Sequence, residues 1–199
     1  MNTPAQTYPV NIRGELTVPP GRWLWLVKWI LAVPHWFILA ILAIPFCIFS
    51  FLAFFAILFA GKYPQGMFDF NVGWMRWGWR VGFYCCQAMG TDKYPPFSLE
   101  PDPSYPADLD VKYPEKLSHW KVLVKWFLLI PHWIIYFIFN SGRGGLIFLL
   151  SLVSVIILLF TGKYPEEIFG IIIGMNRWSY RVMAYVMMTD EYPPFRLDE

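Results

Sequence analysis

One unit stands twice in this chain. Phe59-Ala60-Gly61-Lys62-Tyr63-Pro64 leads to Phe68, Gly73, Arg76-Trp77, Arg80-Val81 and Tyr84. The same pattern returns as Phe160-Thr161-Gly162-Lys163-Tyr164-Pro165, then Phe169, Gly174, Arg177-Trp178, Arg181-Val182 and Tyr185, always 101 positions later. So many identities at one spacing mean a duplicated module, and whatever the first copy folds into, the second must fold into as well. The spacing predicts one module over residues 1–100 and another over 101–199.

The material around the unit is too apolar for an ordinary soluble domain. Of 199 residues, 57% are hydrophobic, 20% aromatic and only 15% charged, which predicts a chain in or on a membrane. A net charge of +2 removes the basic face that a nucleic-acid partner would require. Cys47, Cys85 and Cys86 lack metal-type spacing and read as buried thiols. Residues 1–20 read as an extended, proline-punctuated tail. No basic run feeds an apolar core there, so no cleaved signal peptide is expected.

A helix is expected from Arg22 to Ile30, where Trp and Lys together mark a membrane–water boundary. From Phe37 to Ala60 no charged side chain occurs. As helix this stretch is roughly 36 Å long, enough to cross a hydrocarbon core. In the second copy two apolar legs flank Asn140-Ser141-Gly142-Arg143-Gly144-Gly145, a strong turn signal that aligns with the Pro45 neighbourhood of the first. A helical hairpin is therefore expected in each copy, with tips near Pro45 and Gly142. That arrangement keeps every cation except Arg143 on one side. Four full crossings stand against two crossings or re-entrant hairpins.

A third helix, about Gly66 to Met89, carries a polar stripe with Arg76 and Arg80, read as an amphipathic helix in the plane of the interface. Thr91-Asp92-Lys93-Tyr94-Pro95-Pro96-Phe97 and Thr189-Asp190-Glu191-Tyr192-Pro193-Pro194-Phe195 predict extended straps. Residues 100–116, with four prolines and five acids, read as a solvated linker. Its Tyr105-Pro106 matches Tyr8-Pro9. The expected fold is thus an all-α integral membrane protein of two tandem parallel modules.

Lys-Trp, Pro-His-Trp, Phe-x-Gly-Lys-Tyr-Pro, Arg-Trp-x-x-Arg-Val and Tyr-Pro-Pro-Phe together resemble the bacterial membrane family called domain of unknown function 4389, often found as two tandem copies. The resemblance spans about residues 8–99 and 105–197. It implies the membrane architecture and brings no activity. Asp69 becomes Gly170 and the Ser-Gly-Arg-Gly-Gly turn lacks a counterpart, so any role for Asp69 or Arg143 belongs to one copy.

Four constellations are candidates. Arg76 with Arg80, and Arg177 with Arg181, share a helix face at i,i+4; each pair grips a lipid phosphate or a partner's carboxylates, or else pairs internally with Asp92 and Asp190. Trp77 and Trp178 lie beside them and join the candidate lipid- or partner-binding set. Lys62 and Lys163 read as helix-end cations or as contacts to anionic head groups. His35 and His132 suit a metal or haem pair, or simply a helix start at the interface. No nucleophile elbow, phosphate loop or zinc-protease motif is present, so neither an enzyme nor a cofactor is expected. The expectation is a non-enzymatic accessory or scaffold subunit meeting membrane lipids and other membrane protein subunits, in a bacterial inner membrane, multi-pass, with cytoplasmic termini. The alternative is a lipid or small-molecule transporter or channel with its pathway between the modules.

Overall fold

A computed structural model describes residues 8–141 and 144–198. Its elements run β1 (Val10–Gly14), α1 (Trp25–Leu31), α2 (Val33–Ala60), α3 (Gln65–Cys85), β2 (Ala107–Val111), α4 (Lys121–Leu128), α5 (Ile130–Asn140), α6 (Leu146–Thr161) and α7 (Glu166–Met187). The helical run is interrupted just before Pro34 and Pro131, which enter the first turns of α2 and α5, since proline has no N–H for the preceding helix. Between α4 and α5 the bend is 58°. Both long apolar stretches stop at a left-handed glycine: Gly61 at φ 64° and Gly162 at φ 73°.

The expected tip at Pro45 does not exist. α2 continues through Pro45 as one helix of 28 residues. The proline forfeits one backbone bond, but its neighbours Ile44, Phe46, Cys47 and Ile48 contain no turn former, and an apolar setting favours every other helical bond. In the second copy α5 and α6 are separate; the tip expected at Gly142, and Arg143, lie outside the described residues. Both helices still follow α7. Phe139 meets Trp178, Asn140 bonds Ser179, and Ser151 and Asn176 converge on the Gln87 carbonyl. The break therefore interrupts one path along α7 rather than reversing it.

The true reversal lies at Gly61–Pro64. α3 returns antiparallel along α2, with Phe49 against Phe70, Phe46 against Trp74, and Trp77 against His35. It is not laid along a surface as the polar stripe suggested. From Phe68 to Cys85 most of its residues are buried, because what covers it is absent from the repeated motif.

That cover is a two-stranded antiparallel ribbon. β1 pairs with β2 in the register Val10↔Val111, Ile12↔Leu109 and Gly14↔Ala107. Because Tyr8-Pro9 matches Tyr105-Pro106, Ile12 and Leu109 are repeat equivalents facing each other. Trp79 and Tyr180, equivalent again, touch with ring centroids 5.8 Å apart. A pseudo-twofold axis thus runs through the ribbon and between α3 and α7.

Each strand also packs on the other repeat's helix: β2 on α3 and β1 on α7. Residues 100–116 are accordingly not a solvated linker throughout, since Tyr105, Ala107, Leu109 and Val111 are buried. Alternation explains this: the apolar side chains of Val10, Ile12, Leu109 and Val111 face the core, while Asn11 and Asp110 are exposed and Arg13 and Asp108 half-buried. The result is three layers. The ribbon forms one outer layer, α3 and α7 the middle, and α1, α2, α4, α5 and α6 the other outer layer.

That last layer is apolar on its free side. Phe37, Ile41, Ile44, Ile48, Phe51, Phe55 and Phe59 on α2 are exposed, as are Ile134, Phe137, Ile138, Leu149, Val153, Ile156 and Phe160 on the second copy. α2 is long and apolar enough to cross a membrane, and α4 with α5 together pass the same test as one broken span.

Candidate functional site

The arginines of α3 close an internal clamp. Arg76 donates from Nε to the Leu109 carbonyl at 2.7 Å and from Nη1 to the Leu99 carbonyl at 2.9 Å. Arg80, wholly buried, reaches the Asp108 carboxylate at 2.9 Å, and the same oxygen lies 3.3 Å from Arg76 Nε. Asp110 completes the set at 3.3 Å from Arg76 Nη2. Burial pulls the Arg80 guanidinium below its ordinary range, and Asp108 opposes that pull. Internal pairing is thus the state of this pair, though with Asp108 and Asp110 rather than Asp92.

Asp92 and Asp190 serve two lysines instead. Lys28 Nζ, wholly buried, lies 2.7 Å from the Asp92 carboxylate and donates to the Thr91 carbonyl at 2.7 Å, 5.3 Å from the Tyr84 ring centroid. Lys125 repeats this with Asp190 at 2.9 Å, Thr189 at 2.7 Å and Tyr185 at 5.3 Å. Each lysine locks the strap onto α1 or α4. Lys28 stands in the stretch expected to mark a membrane–water boundary, yet it is buried on a carboxylate; the equivalence of Lys28-Trp29 and Lys125-Trp126, each in an apolar helix, is the available signal for a buried partner.

The second arginine pair is built differently. Arg177 is half-buried and donates to the Leu197 carbonyl at 3.2 Å, repeating the Arg76–Leu99 bond. Arg181 is 2% exposed, its guanidinium 5.4 Å from the Tyr8 ring centroid. Its Nε and Nη1 have no hydrogen-bond partner among the described residues. Burial and the neighbouring Arg177 both lower its basicity. Here the repeat puts Asn11 and Arg13 in the strand places held by Asp108 and Asp110.

The histidines sit in aromatic boxes. His35 stacks on Phe97 at 3.9 Å and accepts from Trp77 Nε1 at 3.0 Å; His132 stacks on Phe195 at 4.1 Å beside Trp178 and Tyr192. Both rings are wholly buried, with no open approach for a metal or haem iron. Trp77 and Trp178, at 4% and 2% exposure, belong to these boxes rather than to a lipid-facing surface. Lys62 and Lys163 are exposed at the two glycine caps. Among the described residues no three His, Cys, Asp or Glu gather as metal ligands.

The model of the family described as "Domain of unknown function (DUF4389)" matches residues 22–98 and again residues 119–197. The chain belongs to this family. No curated protein and no solved structure matches it. The two matches hold the lysine–strap locks, the histidine boxes and all four arginines. They leave out β1 and β2, so the carboxylates that close the first clamp lie outside the family's matched stretches.

A cavity of about 690 Å³ opens between the family's two repeats. Trp25, Leu26, Trp29, Trp36 and Cys85 to Gln87 line one side, and Phe139, Asn140, Ile147, Phe148 and Leu152 the other. The walls are mostly apolar. Trp25 Nε1 and Gln87 Oε1 are buried there without hydrogen-bond partners among the described residues.

Proposed function

We propose that this protein is a non-enzymatic membrane accessory or scaffold subunit that associates with a larger membrane protein complex. The observation that carries this reading is the free side of the α1–α2 and α4–α6 layer. In α2 a window of mean hydropathy 2.7 is only 11% buried, whereas the core helix of a soluble protein would be mostly covered. The same layer carries Trp23, Trp29, Trp120 and Trp126 exposed near its helix starts, as interfacial anchors do. The opposite layer, the ribbon, exposes Asn11 and Asp110.

Lipid is then one partner of this protein and a membrane protein subunit the other. A multi-pass arrangement in an inner membrane, with cytoplasmic termini, is one way to seat the apolar layer; embedding that layer from one side is the other. Crosslinking in native membranes tests the scaffold reading: a discrete heteromeric adduct is expected, and a chain that is recovered only as itself sinks it.

The cavity between the repeats favours a second reading, a lipid or small-molecule carrier. Its volume suits one hydrophobic ligand, and two unpartnered polar atoms would orient it. Reconstituted vesicles should then exchange labelled lipid faster than protein-free ones, and equal rates end this reading.

A further inference from the structure

The end of α3 carries a pair of side chains that the second repeat lacks. Cys85 and Cys86 are consecutive, and the Cys85 thiol donates to the Cys86 sulfur at 3.3 Å. The same two places one module later hold Val186 and Met187, so the repeated fold needs neither thiol there. Both cysteines line the cavity of about 690 Å³ between the repeats. We propose that Cys85 and Cys86 form a dithiol site for a trivalent organoarsenical, chelating the arsenic while the apolar cavity holds its organic group.

Geometry and chemistry carry this together. Consecutive Cα atoms stand about 3.8 Å apart, closer than unstrained disulfides allow, so the pair is held back from closing on itself and stays a dithiol. A single atom bonded to both sulfurs at about 2.3 Å, a typical metal–thiolate length, would hold them near a right angle. A pyramidal As(III) centre keeps such an angle; a tetrahedral zinc does not, and it would need further ligands. Among the described residues no third His, Cys, Asp or Glu joins the pair. Two thiols suffice for an arsenical with one carbon substituent, whose two hydroxyls are the groups to replace. Two As–S bonds form, two As–O bonds break, and each thiol proton leaves with a hydroxyl as water. Arsenic stays trivalent, and nothing is oxidised or reduced. The substituent meets Trp25, Trp29, Trp36, Phe139 and Phe148, walls suited to an apolar or aromatic group. Leu26, Trp29 and Trp36 belong both to these walls and to the exposed apolar layer, so the site lies beside the surface assigned to lipid, where an uncharged arsenical concentrates. The inference is independent of the scaffold reading and shares only its cavity with the carrier reading, since chelation needs no lipid exchange.

The test uses the full chain in detergent, reduced with a thiol-free phosphine, treated with phenylarsine oxide and followed by intact mass and thiol titration. One phenylarsenic group should be gained, and free thiols should fall from three to one. The adduct should survive a monothiol wash and yield to dithiothreitol. Cys85→Val and Cys86→Met, which borrow the second repeat's residues, should each retain the probe roughly a hundredfold less well, because one sulfur cannot chelate. Cys47→Ala, at the exposed thiol of α2, should bind as the parent does. Compared with dithiothreitol in solution, the protein should prefer phenylarsine oxide over methylarsonous acid roughly tenfold, the contribution of a buried ring. An adduct that forms only after unfolding, equal retention in Cys86→Met, or a phenyl preference no greater than that of dithiothreitol overturns the proposal. Should Cys85→Val fail to fold, Cys86→Met at the half-buried position still decides the matter.

Discussion

A lysine inside an apolar helix is stable only with its charge matched, and Lys28 and Lys125 each have one carboxylate and one carbonyl doing so. Replacing either by Met removes the cation and strands Asp92 or Asp190 together with a strap carbonyl. A loss of about 2–3 kcal/mol is expected, below the usual figure for a fully buried pair because both carboxylates are partly exposed. Denaturation in detergent measures it, and removing Asp92 together with Lys28 should recover much of the loss. Asp108 and Asp110 form a sharper comparison. Asp108→Asn leaves two buried arginines without their shared charge and should cost about 3 kcal/mol. Asp110→Asn, at a carboxylate 74% exposed, should stay within about 1 kcal/mol. Equal effects would mean that Arg76 and Arg80 are not held as a clamp. The repeated motif made these arginines legible as important. Their partners were not, because Asp92 lies close in the motif while Asp108 lies in a strand that the motif does not contain.

The helices were legible because their signals are local: Pro at a first turn, an uncharged run, then glycine at the stop. Gly61 and Gly162 test that reading. Alanine at either must adopt a left-handed backbone, costing about 1–2 kcal/mol. At Gly61 the new methyl would also stand 2.8 Å from His119 Nε2 and 3.2 Å from the Leu117 carbonyl; at Gly162 its three nearest atoms all belong to the movable end of Arg22. Gly61→Ala should therefore lower the melting temperature more than Gly162→Ala, and the reverse order would contradict the packing at this turn. Proline 45 misled for the opposite reason, since a helix break requires turn formers beside the proline and none are there. The strands were nearly invisible. Val10-Asn-Ile-Arg-Gly14 and Ala107-Asp-Leu-Asp-Val111 do alternate, but each has five residues beside prolines and neither is stable without the other, nearly a hundred residues away.

At the scale of the molecule, the sequence showed how greasy the chain is and the layers show where the grease lies. Cations flank both ends of α2, Lys28 before it and Lys62 after it, so charge placement alone cannot orient this helix. The middle and ribbon layers favour one arrangement over the other. α3 follows α2 along most of its length, and on its other flank run Asp110, Lys112, Glu115 and Lys116, all exposed, before the chain reaches Gly61 through the Leu117 N–H. Were α2 to cross the bilayer, that charged edge would be drawn into hydrocarbon beside it, at several kcal/mol per unpaired charge. Embedding the apolar layer from one side leaves the edge in water and still buries Phe37 to Phe59. In a Cys47→Ala background, Val18→Cys and Gln65→Cys should therefore react with a membrane-impermeant thiol reagent from the same side of sealed vesicles. Phe51→Cys, 64% exposed in the isolated chain, should stay unreactive until detergent is added. Labelling of Val18→Cys and Gln65→Cys from opposite sides would mean that α2 crosses after all, and prompt labelling of Phe51→Cys would mean that the apolar layer meets water or a protein partner instead of lipid.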